Sequence, residues 1–220
     1  MATTRAQRIG IWIIVVFLAI GTVGSFAIIV VANENAQRDQ ARVNELSAKY
    51  QAESDEYQKK VAAQTKELSD KYYDTFSAYA SRATPFDAVS VTELKTEDLV
   101  VGDGEEITED STFTAYYIGW NPSGTTFDSS IADGSLSTPL SVAPGGVIEG
   151  WTKGAAGMKV GGIRELTIPA ELAYGDIERS EDIPANTPLK FVIMIIPTPD
   201  PIPEPEIPQA LLNYYQTGRL

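Results

Sequence analysis

The sequence contains no cysteine and no histidine, and each absence excludes a class of chemistry. Without cysteine the chain has neither a disulfide framework nor a thiolate metal site. Without histidine it has no Ser-His-Asp or Cys-His nucleophile and no His-ligated zinc. Carboxylate chemistry and catalysis without ionisable groups remain as the enzymatic possibilities.

Basic residues are also scarce, since 17 Lys and Arg stand against 30 Asp and Glu, a net charge of −13. A chain of this charge is not expected to bind nucleic acid, because little would neutralise the phosphates. The excess of acid lies beyond Arg82 and indicates a solubilising surface. A glycosidase with paired carboxylates is the enzymatic alternative, but no acidic pair is set off by a distinctive motif.

The longest stretch without a charge runs over residues 9–32 and is rich in Ile, Val and Phe. At about 1.5 Å per residue, 24 residues reach roughly 36 Å, enough to cross a hydrocarbon core of about 30 Å. A cleaved signal peptide is the alternative, but its apolar region normally has only about 7–15 residues. Because Arg5 and Arg8 precede the stretch, we predict a cytoplasmic tail and anchor over residues 1–32. The protein is then a single-pass membrane protein with its later domains extracytoplasmic.

Residues 33–83 are predicted to form a helical stalk. Asn33 to Arg82 contains neither Gly nor Pro, and Thr84-Pro85 then ends the helix. Apolar residues repeat with a period of eleven, which implies a nearly straight stripe. Because that stripe is interrupted and rich in Tyr, a spacer is favoured over an oligomerising coiled coil. An alternative role for the aromatic end of the stalk is to pack on the downstream domain. That end comprises Tyr72, Tyr73, Phe76 and Tyr79.

The next segment, residues 84–196, reads as an α+β domain. Strands are predicted over 112–117, 163–168 and 189–196, and one short helix over 147–157, which suits an antiparallel sheet wrapped around one helix. From Pro197 to Pro205 every second residue is Pro, which favours extended polyproline-II geometry in the tail, residues 197–220. The apolar stretch 210–215 within that tail is short enough to dock elsewhere.

A glycine-rich segment around Trp151 is the centre of this domain. Gly150, Gly154 and Gly157 stand at helical spacing, although each glycine weakens a helix by about 1 kcal/mol. Their spacing therefore predicts a thin helix face that a neighbouring sheet approaches closely. Trp151 is then expected to form the floor of a site above this helix.

The motifs around this segment occur in a fixed order. They are Tyr-x-Gly at 117–119, Phe-Asp-Ser-Ser at 127–130, Val-Ile-x-Gly-Trp at 147–151, Gly-Met-x-Val-Gly at 157–161 and Ala-Tyr-Gly at 173–175. Together they resemble the FKBP family of peptidyl-prolyl cis-trans isomerases over residues 89–196. The resemblance implies the FKBP-like fold, an antiparallel sheet wrapped on one short helix. It also implies proline-containing polypeptides as substrates and a macrolide inhibitor as a further ligand.

The family's site residues transfer onto this sequence by motif. Four positions are expected to be catalytic: Tyr117, Phe127, Asp128 and Tyr174. Six are expected to bind the substrate: Leu140, Val147, Ile148, Trp151, Ile183 and Phe191. The resemblance makes Asp128 a buried acid, but no basic residue stands where an Arg often pairs with it. The loop at 176–182 is far more acidic than the apolar rim of highly active members.

The implied chemistry is rotation of an X-Pro amide in a dry aromatic pocket. Amide resonance, which causes the barrier of about 18–20 kcal/mol, is lost in the twisted transition state. That state is therefore less polar than the planar amide and tolerates desolvation better. Such catalysis needs no metal and no cofactor. Two alternatives stay open, a non-catalytic FKBP-like binding module on a tethered stalk and a structural protein whose helix is the functional part.

Overall fold

The computed structural model describes the backbone of residues 5–217 and the side chains of residues 36–217. The first helix, α1, runs from Arg5 to Ser77, and a 3₁₀ turn, Ala78–Arg82, follows it. Among the residues whose side chains the structure describes, no helix is long and apolar enough to cross a bilayer. The predicted anchor at 9–32 lies outside the part whose side chains are described.

Between the stalk and the Pro-rich tail, the described chain forms eight strands and one short α-helix. The strands are β1 (Lys95–Val100), β2 (Phe113–Trp120), β3 (Thr126–Ser129), β4 (Ile131–Ala132), β5 (Ser135–Leu136), β6 (Leu140–Val142), β7 (Ile163–Ile168) and β8 (Leu189–Ile196). Helix α2 spans Glu149–Ala155, between β6 and β7. The main sheet is antiparallel in the order β1-β7-β8-β2-β3. Strand β3 pairs with the C-terminal half of β2, and β6 pairs with its N-terminal half. The predicted antiparallel sheet is therefore confirmed, with β7 and β8 at the predicted bounds.

Helix α2 packs on one face of the sheet through its glycines. A Cβ on Gly150 would overlap the side chain of Ile168, and one on Gly154 would lie 2.7 Å from Leu166 Cδ2. The predicted close approach is thus confirmed for these two positions. Gly157 is different, because the helix has ended and its φ of +77° belongs to a turn. The helix is accordingly shorter than the predicted 147–157.

The opposite face of the sheet is covered by the end of the stalk. Phe76 is fully buried, and its ring centroid lies 6.2 Å from that of Tyr116 on β2. Leu68, Tyr72, Tyr73 and Tyr79 pack against the same cluster. The alternative role given to the aromatic end, packing on the downstream domain, is therefore the one observed.

By its contacts the chain forms two compact units, and one of them is Lys59–Ile202. The predicted boundary at 83/84 differs because the last turns of α1 belong to this unit. Arg82, at the end of the 3₁₀ turn, adds a polar link, since its Nε donates to the buried carboxylate of Glu165 on β7. Glu165 also pairs with Lys190 on β8 at 2.9 Å.

The other unit joins the described residues before Lys59 to those after Ile202. Its tail contains helix α3 (Gln209–Thr217), where the sequence suggested only a short docking segment. Tyr214 donates from its hydroxyl to Gln40 Oε1 at 3.0 Å, and Val43 and Leu211 are both buried. The tail therefore docks on the stalk helix within this unit.

Candidate active site

Three aromatic rings form the centre of the candidate site. Trp151 on α2 is 3% exposed, and its ring meets Phe191 of β8 edge to face, with centroids 5.3 Å apart. Phe127 on β3 meets Phe191 in the same way at 5.6 Å. The elements that carry these rings are far apart in sequence, and the sheet and α2 bring them together. They line one apolar site.

Tyr117 connects this aromatic group to Asp128. Its ring lies 5.4 Å from that of Trp151, and its hydroxyl donates to Asp128 Oδ2 at 2.7 Å. Burial, and then the hydrogen bond to Asp128, raise the pKa of Tyr117 far above its usual value. The phenol therefore stays neutral at physiological pH and acts as a hydrogen-bond donor.

Asp128 differs from its expected role in one respect. The structure leaves it exposed, whereas the resemblance implied a buried acid. Within the described part of the chain, Asp128 forms no ion pair, and Tyr117 is its hydrogen-bond partner. Because water reaches this carboxylate, no neighbouring cation is needed to balance its charge.

Tyr174 and Ile183 come from the connection between β7 and β8. Both pack in the apolar cluster that contains Trp151, Ile183 being buried and Tyr174 half-buried. Arg179 lies over the Tyr174 ring, with its guanidinium carbon 4.9 Å from the centroid. The Arg179 N–H also donates to the carbonyl of Ile183 at 3.0 Å. The acidic loop is thus folded back onto the site through Arg179.

Two further predicted residues lie just before α2. Val147 and Ile148 pack against the same apolar cluster, and the Ile148 carbonyl accepts the N–H of Trp151 at 2.9 Å. Leu140 is the exception among the ten predicted residues. It pairs with Ala115 in the sheet, is 37% exposed, and is not part of the cluster.

Two contributors to the site were not identified from the sequence. A Cβ on Gly119 would lie 2.5 Å from Phe191 Cε1 and 2.8 Å from Phe127 Cζ, so these rings occupy the space that a side chain there would need. Arg164 on β7 is buried and pairs with Asp98 of β1 through Nε at 2.6 Å and Nη2 at 3.0 Å. Gly119 is the glycine of the Tyr-x-Gly motif, so the sequence contained a signal for it. No local pattern in the sequence indicated the role of Arg164.

The chemistry available to this site follows from its lining. It presents aromatic and aliphatic surface with two phenols and one carboxylate, and the described residues hold no cluster of potential metal ligands. The buried aromatic floor excludes water from one side of a bound group. Such a site suits stabilisation of a weakly polar state rather than transfer of a proton or a group.

The chain is similar to proteins of one family. A family model described as FKBP-type peptidyl-prolyl cis-trans isomerase matches residues 103–196. The FK506-binding protein of Neisseria meningitidis serogroup B is 40% identical over 100 residues, 46% of this chain and 91% of the relative. The probable FK506-binding protein of Corynebacterium glutamicum is 40% identical over 106 residues, 47% of this chain and 86% of the relative. Among solved structures, AtFKBP13 is 38% identical, covers 48% of this chain and 93% of its own, and has a TM-score of 0.43.

Proposed function

Since this chain belongs to the FKBP-type peptidyl-prolyl cis-trans isomerase family and is an isomerase of that class, we propose that it rotates X-Pro bonds of exported polypeptides by desolvating them in the pocket of Trp151, Phe127 and Phe191. The observation that carries this proposal is the edge-to-face packing of both Trp151 and Phe127 on Phe191. They offer a proline ring a dry surface and leave the carbonyl edge of the pocket to Tyr117 and Tyr174.

The physical basis is a difference in polarity between ground state and transition state. Resonance in the planar amide places negative charge on the carbonyl oxygen, which water stabilises. Rotation removes the resonance, so the twisted amide loses less hydration free energy than the planar amide when it leaves water. Each difference of about 1.4 kcal/mol between the two desolvation costs raises the rate tenfold.

The proposed roles follow from the contacts of each side chain. Trp151 is the floor beneath the proline, and Phe127 and Phe191 are its walls. Tyr174 donates a hydrogen bond to a substrate carbonyl, as does the Ile148 N–H. Tyr117 is held in place by Asp128 at 2.7 Å. Ile183 and Val147 complete the apolar lining, and Leu140 is proposed only as an outer contact because of its exposure.

The matched experiment compares Phe127→Ala with Tyr174→Phe in kcat/KM on Xaa-Pro peptides. Tyr174→Phe removes one neutral hydrogen bond worth about 0.5–1.5 kcal/mol, so a loss of about threefold to tenfold is expected. Phe127→Ala opens the dry wall to water and should cost considerably more. Circular dichroism verifies that both variants are folded. Abolition of activity by Tyr174→Phe with Phe127→Ala unaffected would refute the desolvation mechanism.

The same pocket is proposed to bind a macrolide inhibitor of the FK506 type. An apolar ligand of this kind would occupy the proline surface, and inhibition should be competitive with Xaa-Pro peptides. The loop at 176–182, which forms the rim of the pocket, carries four acidic residues. The affinity of the protein for the macrolide therefore tests how much this acidic rim affects ligand binding. Neutralising Glu178 and Glu181 together should then strengthen inhibition while leaving the aromatic pocket unchanged.

We further propose that residues 9–32 anchor the protein in a membrane, with the isomerase outside the cytoplasm. The support is the length of the uncharged stretch, 24 residues. The mature protein should begin at its original amino terminus and partition with membranes. Amino-terminal sequencing and membrane fractionation test this, and soluble protein that begins near Asn33 would exclude the anchor.

A further inference from the structure

The end of the stalk helix contacts the hairpin that follows the strand of Phe127 and Asp128. Ser69 on α1 is 6% exposed, and its Oγ accepts a hydrogen bond of 2.8 Å from the Leu136 N–H on β5. Leu136 itself is 2% exposed and packs in the cluster that contains Phe76. The hydrogen bond is therefore buried and shielded from competition by water.

A second contact holds the same hairpin beside the helix. The hydroxyls of Thr65 on α1 and Thr138, two residues after β5, lie 3.0 Å apart. The hairpin formed by β4 and β5 has only two residue pairs and is a separate small sheet. A hairpin of that length has little stability of its own. Its position therefore depends on the helix against which it packs.

From the hairpin, hydrogen bonds continue to the site strand β2. Ser137 donates its N–H to the carbonyl of Ser130 at 2.9 Å. Ser130, which is 2% exposed, accepts the Tyr117 N–H on its Oγ at 3.0 Å and donates its own N–H to the Tyr117 carbonyl at 2.8 Å. Ser130 thus fixes both the backbone N–H and the backbone carbonyl of Tyr117. Tyr117 is the residue whose ring and hydroxyl contact Trp151 and Asp128.

We propose that Ser69 is a positioning residue for the isomerase pocket, acting through Leu136, Ser137 and Ser130 on Tyr117. The proposal rests on the proposed function, because Tyr117 is assigned to the pocket there. It makes the last turns of the stalk part of the working enzyme and not a passive spacer. The stalk residues involved lie in the same compact unit as the pocket, Lys59–Ile202.

Two variants of equal size separate the hydroxyl from the packing. Ser69→Thr keeps a hydroxyl and Ser69→Val replaces it with a methyl, so both add one carbon-sized group at the buried position. Thr75→Val is the control, because Thr75 is exposed on the same helix and has no hydrogen-bond partner among the described side chains. All three are made in the full chain, purified in detergent, and assayed on Xaa-Pro peptides.

Ser69→Val is expected to lower kcat/KM about twofold to tenfold, as the loss of one neutral hydrogen bond implies. Ser69→Thr and Thr75→Val should stay within about twofold of the wild type. Amide hydrogen exchange gives a readout along the path. The N–H groups of Leu136 and Tyr117 should exchange faster in Ser69→Val and not in Ser69→Thr.

The outcomes discriminate between this inference and the proposed function. If the wild type itself shows no activity above the thermal rate, the proposed function fails first. If the wild type is active and Ser69→Val equals Ser69→Thr in kcat/KM, Ser69 does not position the pocket. Faster exchange at Leu136 with unchanged exchange at Tyr117 likewise overturns the proposal, because the effect then ends at the hairpin.

Discussion

The guanidinium of Arg164 donates a hydrogen bond of 2.8 Å to the carbonyl oxygen of Gly154, in the last turn of the helix that carries Trp151. The same nitrogen donates to the Ala156 carbonyl at 3.0 Å. Carbonyls at a helix C-terminus lack partners within the helix, and the helix dipole favours a cation there. Because Arg164 also pairs with Asp98, it ties β1 and β7 to α2 and so fixes the floor of the pocket.

Replacing Arg164 with Met should lower the free energy of unfolding by about 2–4 kcal/mol, since two carbonyls lose their donor and Asp98 loses its partner. Urea denaturation followed by tryptophan fluorescence measures this. Lys153→Gln is the matched control on the same helix. Lys153 forms an exposed pair with Glu149, so its loss should leave the urea midpoint unchanged. Equal effects of the two variants would contradict the role given to Arg164.

Gly119→Ala should displace the rings of Phe127 and Phe191, because its Cβ would lie within 2.8 Å of both. Overpacking of this kind costs about 1–3 kcal/mol in stability. We expect a drop of more than about tenfold in kcat/KM, since the two walls of the dry pocket move together. Thr126→Ala, at an exposed position of β3, serves as control and should keep full activity. Wild-type kinetics for Gly119→Ala would show that the rings do not form the catalytic surface.

The Tyr116 hydroxyl is buried and has no hydrogen-bond partner among the described residues. Burial, with a smaller effect from Tyr72, raises the pKa of Tyr116 to about 12. The phenol is neutral in both the folded and the unfolded state below pH 10, and the folded state loses stability as the pH rises from 10 to 12 because the unfolded chain ionises first. Two pH units correspond to about 3 kcal/mol.

Tyr116→Phe should accordingly be neutral or stabilising at pH 7, because it removes an unsatisfied buried hydroxyl. It should also flatten the fall in stability between pH 10 and pH 12. Thermal denaturation of wild type and variant across this range provides the comparison. A destabilisation of more than about 1 kcal/mol at neutral pH would mean that the hydroxyl has a partner after all.

Phe76→Ala should destabilise the isomerase unit by about 3–5 kcal/mol, although Phe76 lies in the stalk, because a fully buried ring leaves a cavity. Thr75→Ala, its exposed neighbour, is the control and should change stability little. Guanidinium unfolding followed by the fluorescence of Trp120 and Trp151 reports on the isomerase unit itself. A stalk that is only a spacer would show no difference between the two variants.

Much of the site could be predicted from the sequence alone, because its motifs are local. The spacing of Gly150, Gly154 and Gly157 predicted a thin helix face that packs closely on a sheet, and Gly150 and Gly154 have that role. Nine of the ten predicted site residues meet in the structure around Trp151 or at its edge. The lack of histidine and cysteine already excluded Ser-His-Asp and Cys-His nucleophiles and any metal site with histidine or thiolate ligands.

The tertiary structure alone decided what covers each apolar face and where buried polar groups find partners. The eleven-residue repeat indicated which side of the stalk is aromatic. An apolar stripe can pack on any apolar surface, however, so the repeat did not specify the sheet as its partner. The hydrogen bond from Leu136 to Ser69 and the ion pair of Arg164 with Asp98 each join residues more than sixty positions apart. Such partners are determined only when the sheet, α1 and α2 pack together, because a buried polar group without a partner costs free energy.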